Sequence, residues 1–372
     1  MGRVVRALQL LRHVLDLLQL VAARDHFGIK PLYFHEAPGT LLFASEIKAL
    51  LAYPGMLPKR DDAALGDYIT FQYVLGEATL FKGISKVPPG HYMIVHLGDL
   101  SVERRQYWRL NFKTDPYHTE EYFRDTLRSL LEDTVRIQMR SDVPVGTYLS
   151  GGLDSSVVTL LAAKVANNRL KTFTGAFRAG PAFDETPYAR AVAEACNAEP
   201  FEIYPGEDEF VDLLPRLVFH MDEPAAGPGI FPQFVVAGLA ARHVKVVLGG
   251  QGGDEIFGGY ARYVVAYLEQ ALKGAIFETT EEGEHIVSLR SILPNLPHLK
   301  RYVPMLREFW ADGVFEPMDR RYFRLIDRSA GSLGLFSRDL VAVLDREAVF
   351  ERFQRVFNDP DTLSCYNKMT HF

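Results

Sequence analysis

The run Leu149-Ser150-Gly151-Gly152-Leu153-Asp154-Ser155-Ser156 combines two glycines, three hydroxyls and a carboxylate between apolar stretches at 145–149 and 155–166. Glycines let a backbone approach a bulky anion closely. N–H groups at a helix start, with the macrodipole behind them, favour phosphate. Ser150, Ser155 and Ser156 add hydroxyl donors. No Gly-Lys-Ser/Thr follows, so this is not a Walker A loop. A loop without that lysine suits grasping a departing pyrophosphate better than transferring a terminal phosphoryl group. The plainer reading, a tight strand–helix turn with serine capping, accounts for fewer of these residues.

A second run, Gly249-Gly250-Gln251-Gly252-Gly253-Asp254-Glu255-Ile256-Phe257-Gly258-Gly259-Tyr260, follows the apolar stretch 244–248 and carries six glycines in eleven residues. Such a loop removes side chains where a ligand or another backbone must pass. Asp254 and Glu255 can hold Mg²⁺, which prefers carboxylates together with phosphate oxygens and water. The alternative is a loop whose acids are merely solvated. Two weaker clusters, Phe183-Asp184-Glu185-Thr186-Pro187 and Asp222-Glu223-Pro224, offer further functional acids, but the first reads equally well as an ordinary helix cap and the second as solvated carboxylates. His220, beside the second, reads as structural.

These loops need a frame. From residue 116 onward, strands at 145–149, 172–177, 201–204 and 244–248 alternate with helices at 155–166, 186–196, 208–220 and 231–243, after a first helix over 123–139. That alternation predicts βαβ units and a mainly parallel sheet covered on both faces. Two glycine-bearing loops at strand ends then converge on one crevice. Residues 24–111 read differently: short strands at 32–34, 40–45, 91–95 and 106–110, broken by turns at Pro38-Gly39, Pro89-Gly90 and Gly98-Asp99, predict an antiparallel region. One short helix is expected at 46–51.

The chain has 372 residues, a net charge of −6 and 48% hydrophobic residues. That length predicts two domains, the apolar fraction excludes disorder, and mild acidity without a basic run argues against nucleic acid. Two cysteines, Cys196 and Cys365, build neither a disulfide framework nor a thiolate metal site and fit the cytoplasm. Residues 4–23 are the most apolar, yet Arg6, Gln9, His13, Asp16 and Gln19 recur every three or four positions. This period predicts an amphipathic helix facing a core or partner rather than a signal peptide or membrane span.

These motifs resemble the glutamine-dependent asparagine synthetases of the B type. The resemblance extends beyond the pyrophosphate loop to Arg24-Asp25-His26-Phe27-Gly28-Ile29-Lys30-Pro31-Leu32-Tyr33, to 43–50, to the Pro88-Pro89-Gly90-His91 turn and to 141–146, in the family's order. It implies an α/β fold: a parallel-sheet adenylating domain at 116–372, preceded by a partial antiparallel N-terminal-nucleophile glutaminase sheet at 24–115, with 1–23 set apart as the atypical helix. The implied reaction adenylates the side-chain carboxylate of aspartate with ATP and Mg²⁺. Ammonia then gives asparagine, with AMP and pyrophosphate as the other products.

In this resemblance, Leu149 and Ser150, Gly151, Gly152, Leu153, Asp154, Ser155 and Ser156 hold ATP and its pyrophosphate. Gly175 flanks the adenine, Gly249 and Gly250 contact the nucleotide, and Asp154 and Asp254 partner Mg²⁺. Gln251 and Asp254 stand at positions tied to adenylation. Gln251 replaces an acid, Gly249 a serine and His26 an arginine of the family pattern. No cysteine precedes Cys196, so no glutaminase nucleophile is expected, and the chain reads as truncated at both ends. Missing glutaminase strands would leave sheet edges that invite a homodimer. Two rivals stay open: a non-catalytic nucleotide-binding fragment, and a relative with a different acceptor.

Overall fold

The computed structural model describes residues 18–113, 115, 117–177, 180, 184–224, 227–277, 292–362, 368–369 and 371–372, apart from the side chains of 228, 295 and 298. Residues 4–17 of the expected helix, Phe183 and Cys365 lie outside that set. The chain forms two compact units: Met1–Asn111 with Phe219–Ala225 and Asp319–Asp361, and Phe112–Val218 with Ala226–Met318 and Thr362–Phe372. Residues 219–225 and 319–361 thus cluster with the first unit, whereas sequence reading assigned all of 116–372 to the second domain. Buried polar contacts, described below, hold both segments there.

The first unit begins with β1 (Gln19–Ala23), β2 (Tyr33–Ala37) and β3 (Thr40–Ala44), then α1 (Ile47–Leu51), α2 (Asp62–Phe71), β4 (Ser85–Lys86), β5 (His91–His96) and β6 (Val102–Gln106). Among the described residues its strand pairs are antiparallel, in two three-stranded sheets ordered β1-β5-β6 and β3-β2-β4. The helix expected over 4–23 fails at its end, because Gln19–Ala23 pairs with Tyr92–His96 as a strand. There its side chains alternate between exposed and half-buried, a period of two that overrides the helical one. The strand expected at 106–110 is also displaced, to Val102–Gln106. Beyond it, the Tyr107 and Trp108 N–H groups donate to Gly90 O at 2.8 and 3.2 Å, wrapping the chain onto the preceding turn.

In the second unit the order is α3 (Glu120–Gln138), β7 (Val145–Tyr148), α4 (Leu153–Val165), β8 (Lys171–Gly175), α5 (Thr186–Ala195), β9 (Glu199–Ile203), α6 (Glu207–Met221), α7 (Ile230–Ala240), β10 (Val246–Leu248), α8 (Gly253–Phe257), α9 (Ala261–Phe277) and α10 (Val303–Phe309). The last residues of α6 belong to the first unit. The strands form one parallel sheet ordered β10-β7-β8-β9. Leu149, Ala162, Leu170, Ala189 and Leu248 bury against one another in one core cluster, and Phe173, Val236, Ala240 and Val244 in another. β7 lies inside the sheet, so the loop leaving it opens between β10 and β8.

Helices α11 (Met318–Ile326), α12 (Arg338–Val343) and α13 (Arg346–Phe357) follow. Phe323, Phe353 and Phe357 pack with Phe71 of α2 in an aromatic core within the first unit, their neighbouring ring centroids 5.0–6.1 Å apart. Asp222, held at φ 63°, accepts from the Ile47 and Lys48 N–H groups at 2.7 and 3.1 Å and from Lys48 Nζ at 2.9 Å. Glu223 accepts from the Leu80 N–H at 2.5 Å, and burial pushes its carboxyl up. These two acids are therefore structural anchors of the first unit, not solvated side chains.

Candidate functional site

The loop after β7 is tied down before any ligand arrives. Leu149 N–H donates to Phe173 O at 3.0 Å, and Thr174 Oγ1 donates to Leu149 O at 2.6 Å, fixing the strand end to β8. Gly151 turns with φ 93°; a Cβ there would stand 2.6 Å from Glu185 O and 3.1 Å from Ala189 N, so glycine permits the close pass against α5. The Ser155 and Ser156 hydroxyls donate to Gly152 O at 3.1 and 2.7 Å. Those serines are engaged within the loop, as are the N–H groups of Ser150 and Gly152, which donate to Ser155 Oγ and Ser150 Oγ, both at 3.2 Å. Helix α4 starts at Gly152 without a side-chain cap, and its first N–H groups have no partner within the helix.

The second loop packs directly on the first. A Cβ on Gly250 would fall 2.7 Å from Ser155 N and 2.9 Å from the carbonyl carbon and Cβ of Asp154. A Cβ on Gly253 would overlap the Asp154 carboxylate, and one on Gly259 the Asp254 carboxylate. Glycine at 250 and 253 is what allows both loops to wall a single cavity of about 500 Å³, lined by Ser150, Gly152, Leu153, Asp154, Ser155, Gly250, Gln251 and Asp254.

A neighbouring cavity of about 380 Å³ is lined by Leu149, Ser150, Gly175 and Gln251 among the expected residues. Its remaining wall was not foreseen in full. Phe173, Thr174, Ala176 and Phe177 follow from the end of β8, and Pro232, Gln233 and Val236 come from α7. The helical spacing of 232, 233 and 236 was a usable signal. Val236 also explains Gly175, since any Cβ there would overlap Val236 Cγ2. Of the acids weighed before the second helix of the alternation, Asp184 accepts from the Thr186 N–H and hydroxyl as a local cap, while Glu185 lines this cavity. Gly151, Ser156 and Gly249 line neither cavity.

Burial, and then the charges of Asp254 and Glu255, hold the Asp154 carboxyl above its ordinary range. Tyr260 donates its hydroxyl to Glu255 at 2.6 Å and is pushed up to about 12, first by that hydrogen bond. Among the described residues, no three His, Cys, Asp or Glu side chains gather as a metal site. Two carboxylates on facing loops instead suit a Mg²⁺ ion that takes its other ligands from phosphate and water. Since a raised pKa delays formation of the anion, cation affinity should fall as pH drops through that raised value. Asp254→Asn removes one repelling charge, so the Asp154 carboxyl should titrate at lower pH, as followed by carbon-13 NMR; an unchanged Asp154 titration would refute that coupling.

A parallel α/β unit with glycine loops after two strands of its sheet places a ligand crevice at the strands' carboxyl ends, as in doubly wound α/β folds. The family profile described as asparagine synthase matches residues 126–370, and that of the glutamine amidotransferase domain matches 16–108. The chain belongs to the asparagine synthase family. It is 39% identical over 245 residues to asparagine synthetase [glutamine-hydrolyzing] 1 of Bacillus subtilis, covering 66% of this chain and 38% of that protein. It is 40% identical over 251 residues to a putative asparagine synthetase of Mycobacterium tuberculosis, with the same two coverages. A third relative, amidase chyE of Penicillium rubens, is 33% identical over 268 residues, covering 68% and 39%. The chain thus spans well under half the length of these relatives.

Proposed function

We propose that this chain is an ATP-dependent amidoligase that adenylates the side-chain carboxylate of aspartate, releases pyrophosphate and transfers ammonia to give asparagine and AMP. What carries the reading is the contact of the two glycine loops, which brings Asp154 and Asp254 to one cavity beside a second, nucleoside-sized one. The N–H groups at the start of α4 would receive the phosphate chain, as helix N-termini do. Leu149 and Gly175 would wall the nucleoside, and Gln251 would face the acyl phosphate. Asp154 and Asp254 would hold Mg²⁺, which supplies charge neutralisation on the leaving pyrophosphate. Among the described residues no helix is long and apolar enough to cross a membrane, which is compatible with work in the cytoplasm.

Labelled pyrophosphate should exchange into ATP when aspartate is present, and Asp154→Ala should lower that exchange by about 100-fold, the scale of losing one preorganised electrostatic contact. Binding of ATP–Mg²⁺ without exchange would leave a binding protein, and absence of both would end the proposal. A relative named as an amidase, together with Gln251 in the site, favours one further reading: the same adenylation with another carboxylate acceptor. Exchange stimulated by a different carboxylate but not by aspartate would select it.

A further inference from the structure

Gln251 is the one residue of the second loop that lines both cavities. Its side chain lies back over Gly249: a Cβ on that glycine would overlap Gln251 Oε1 and stand 3.2 Å from Cδ. Gly249 has an ordinary backbone conformation, outside the left-handed region, so its lack of a side chain answers to space rather than to φ. Around the amide the charges are unbalanced. The larger cavity presents Asp154 and Asp254, and the smaller one Glu185, with no lysine or arginine among the residues lining either. An oxyanion passing between them meets carboxylates on both sides. The Gln251 amide is neutral and offers two N–H donors at the partition.

We propose that Gly249 and Gln251 act as a coupled pair that sets acceptor specificity: the glycine vacates the space in which the amide lies, and the amide donates to a carboxylate oxygen of the acceptor at the junction of the two cavities. The proposal rests on the amidoligase reading above and adds the acceptor's recognition group to it. A carboxylate at 251 would keep the length of the side chain but lose both N–H donors, and with them the hydrogen bond this acceptor would receive from the amide.

The test is a double-mutant cycle on the full chain, using Gly249→Ala, Gln251→Ala and both together. The readouts are the acceptor KM in pyrophosphate exchange, the Kd of ATP–Mg²⁺ by calorimetry, and the thermal midpoint. Gly249→Ala should raise the acceptor KM about tenfold in the wild-type background but less than about twofold once Gln251 is alanine, because the amide it displaces is gone. The thermal midpoint should hold in all three, and the nucleotide Kd should change by less than the acceptor KM does. Gln251→Glu, which keeps the side-chain length but lacks the N–H donors, should raise the acceptor KM by about as much as Gln251→Ala does. Working exchange with equal Gly249→Ala effects in both backgrounds would overturn the pairing alone. An acceptor KM indifferent to both Gln251→Ala and Gln251→Glu would overturn it too, even if Gly249→Ala does not fold. A wild-type chain that neither binds ATP–Mg²⁺ nor exchanges pyrophosphate would remove the functional reading, and the pair's role with it.

Discussion

Gly250→Val should bring pyrophosphate exchange down by more than about a thousandfold, because it separates the parts of the site rather than deleting one of them. The atoms in its way are Ser155 N and the carbonyl carbon and Cβ of Asp154, at 2.7–2.9 Å from where the first added carbon would sit. None is the tip of a flexible side chain, so a rotamer change cannot relieve the overlap and a whole loop must shift. The shift parts Asp154 from Asp254 and opens the mouth of the helix that would receive phosphate. Gly152→Ala makes the informative comparison. Its Cβ would meet only the Ser150 hydroxyl, at 3.3 Å, and its φ of −69° suits any residue. Exchange in that variant should stay within about tenfold of wild type, since a rotating hydroxyl can yield. Nucleotide calorimetry and circular dichroism on both proteins check the pair of outcomes. A folded Gly250→Val chain with near-normal exchange would mean that the two loops need not touch for function.

The contrast shows what could be read from sequence. The 149–156 and 249–260 loops announce themselves because their chemistry is local: glycines, hydroxyls and acids lie together directly after apolar strands, and the strand–helix alternation says where those strands end. Packing between distant segments carries no such mark. Asp222 looks like a solvated acid until its partners, the Ile47 and Lys48 N–H groups, are found about 175 residues away. Gly249 looks like one more flexible position until the Gln251 side chain is seen to fill its space. Helix α2 escaped notice for another reason. Ala64, Gly66, Asp67, Ile69, Thr70 and Phe71 are all buried, so the segment has no polar face and no amphipathic period to detect. Strand β1 was misread in the opposite sense, since spaced polar residues from Arg6 to Gln19 mimic a helical period, while pairing with β5 decides the outcome for 19–23.

The buried side of α2 also yields the largest expected stability effect. Asp67, with only 2% of its side chain exposed, accepts from Arg352 Nε and Nη2 of α13 at 2.9 and 2.7 Å. Arg352 Nη2 also donates to Ala63 O at 3.2 Å, so one guanidinium joins both ends of the first unit's sequence. Arg352→Met should destabilise the chain by about 3 kcal/mol, the low end for stranding a buried charge because a quarter of the Arg352 side chain stays in water. Most of that loss should return in Arg352→Met/Asp67→Asn, where no charge is left to strand. Burial outweighs the arginine and holds the Asp67 carboxyl above its ordinary value. The folded chain therefore keeps this proton more tightly than the unfolded one. Its contribution to stability is full below the ordinary carboxylate pKa and declines as pH rises through the raised one. Removing Arg352 takes away an interaction that favours the anion, so the Arg352→Met deficit should be small in mild acid and grow toward neutral pH. Denaturant unfolding at two pH values, with hydrogen exchange followed in residues 62–71 and 346–357, measures both trends. A deficit that does not change with pH, or that persists when Asp67 is also replaced, would show that Arg352 acts through the packing of its hydrocarbon stem rather than through its charge.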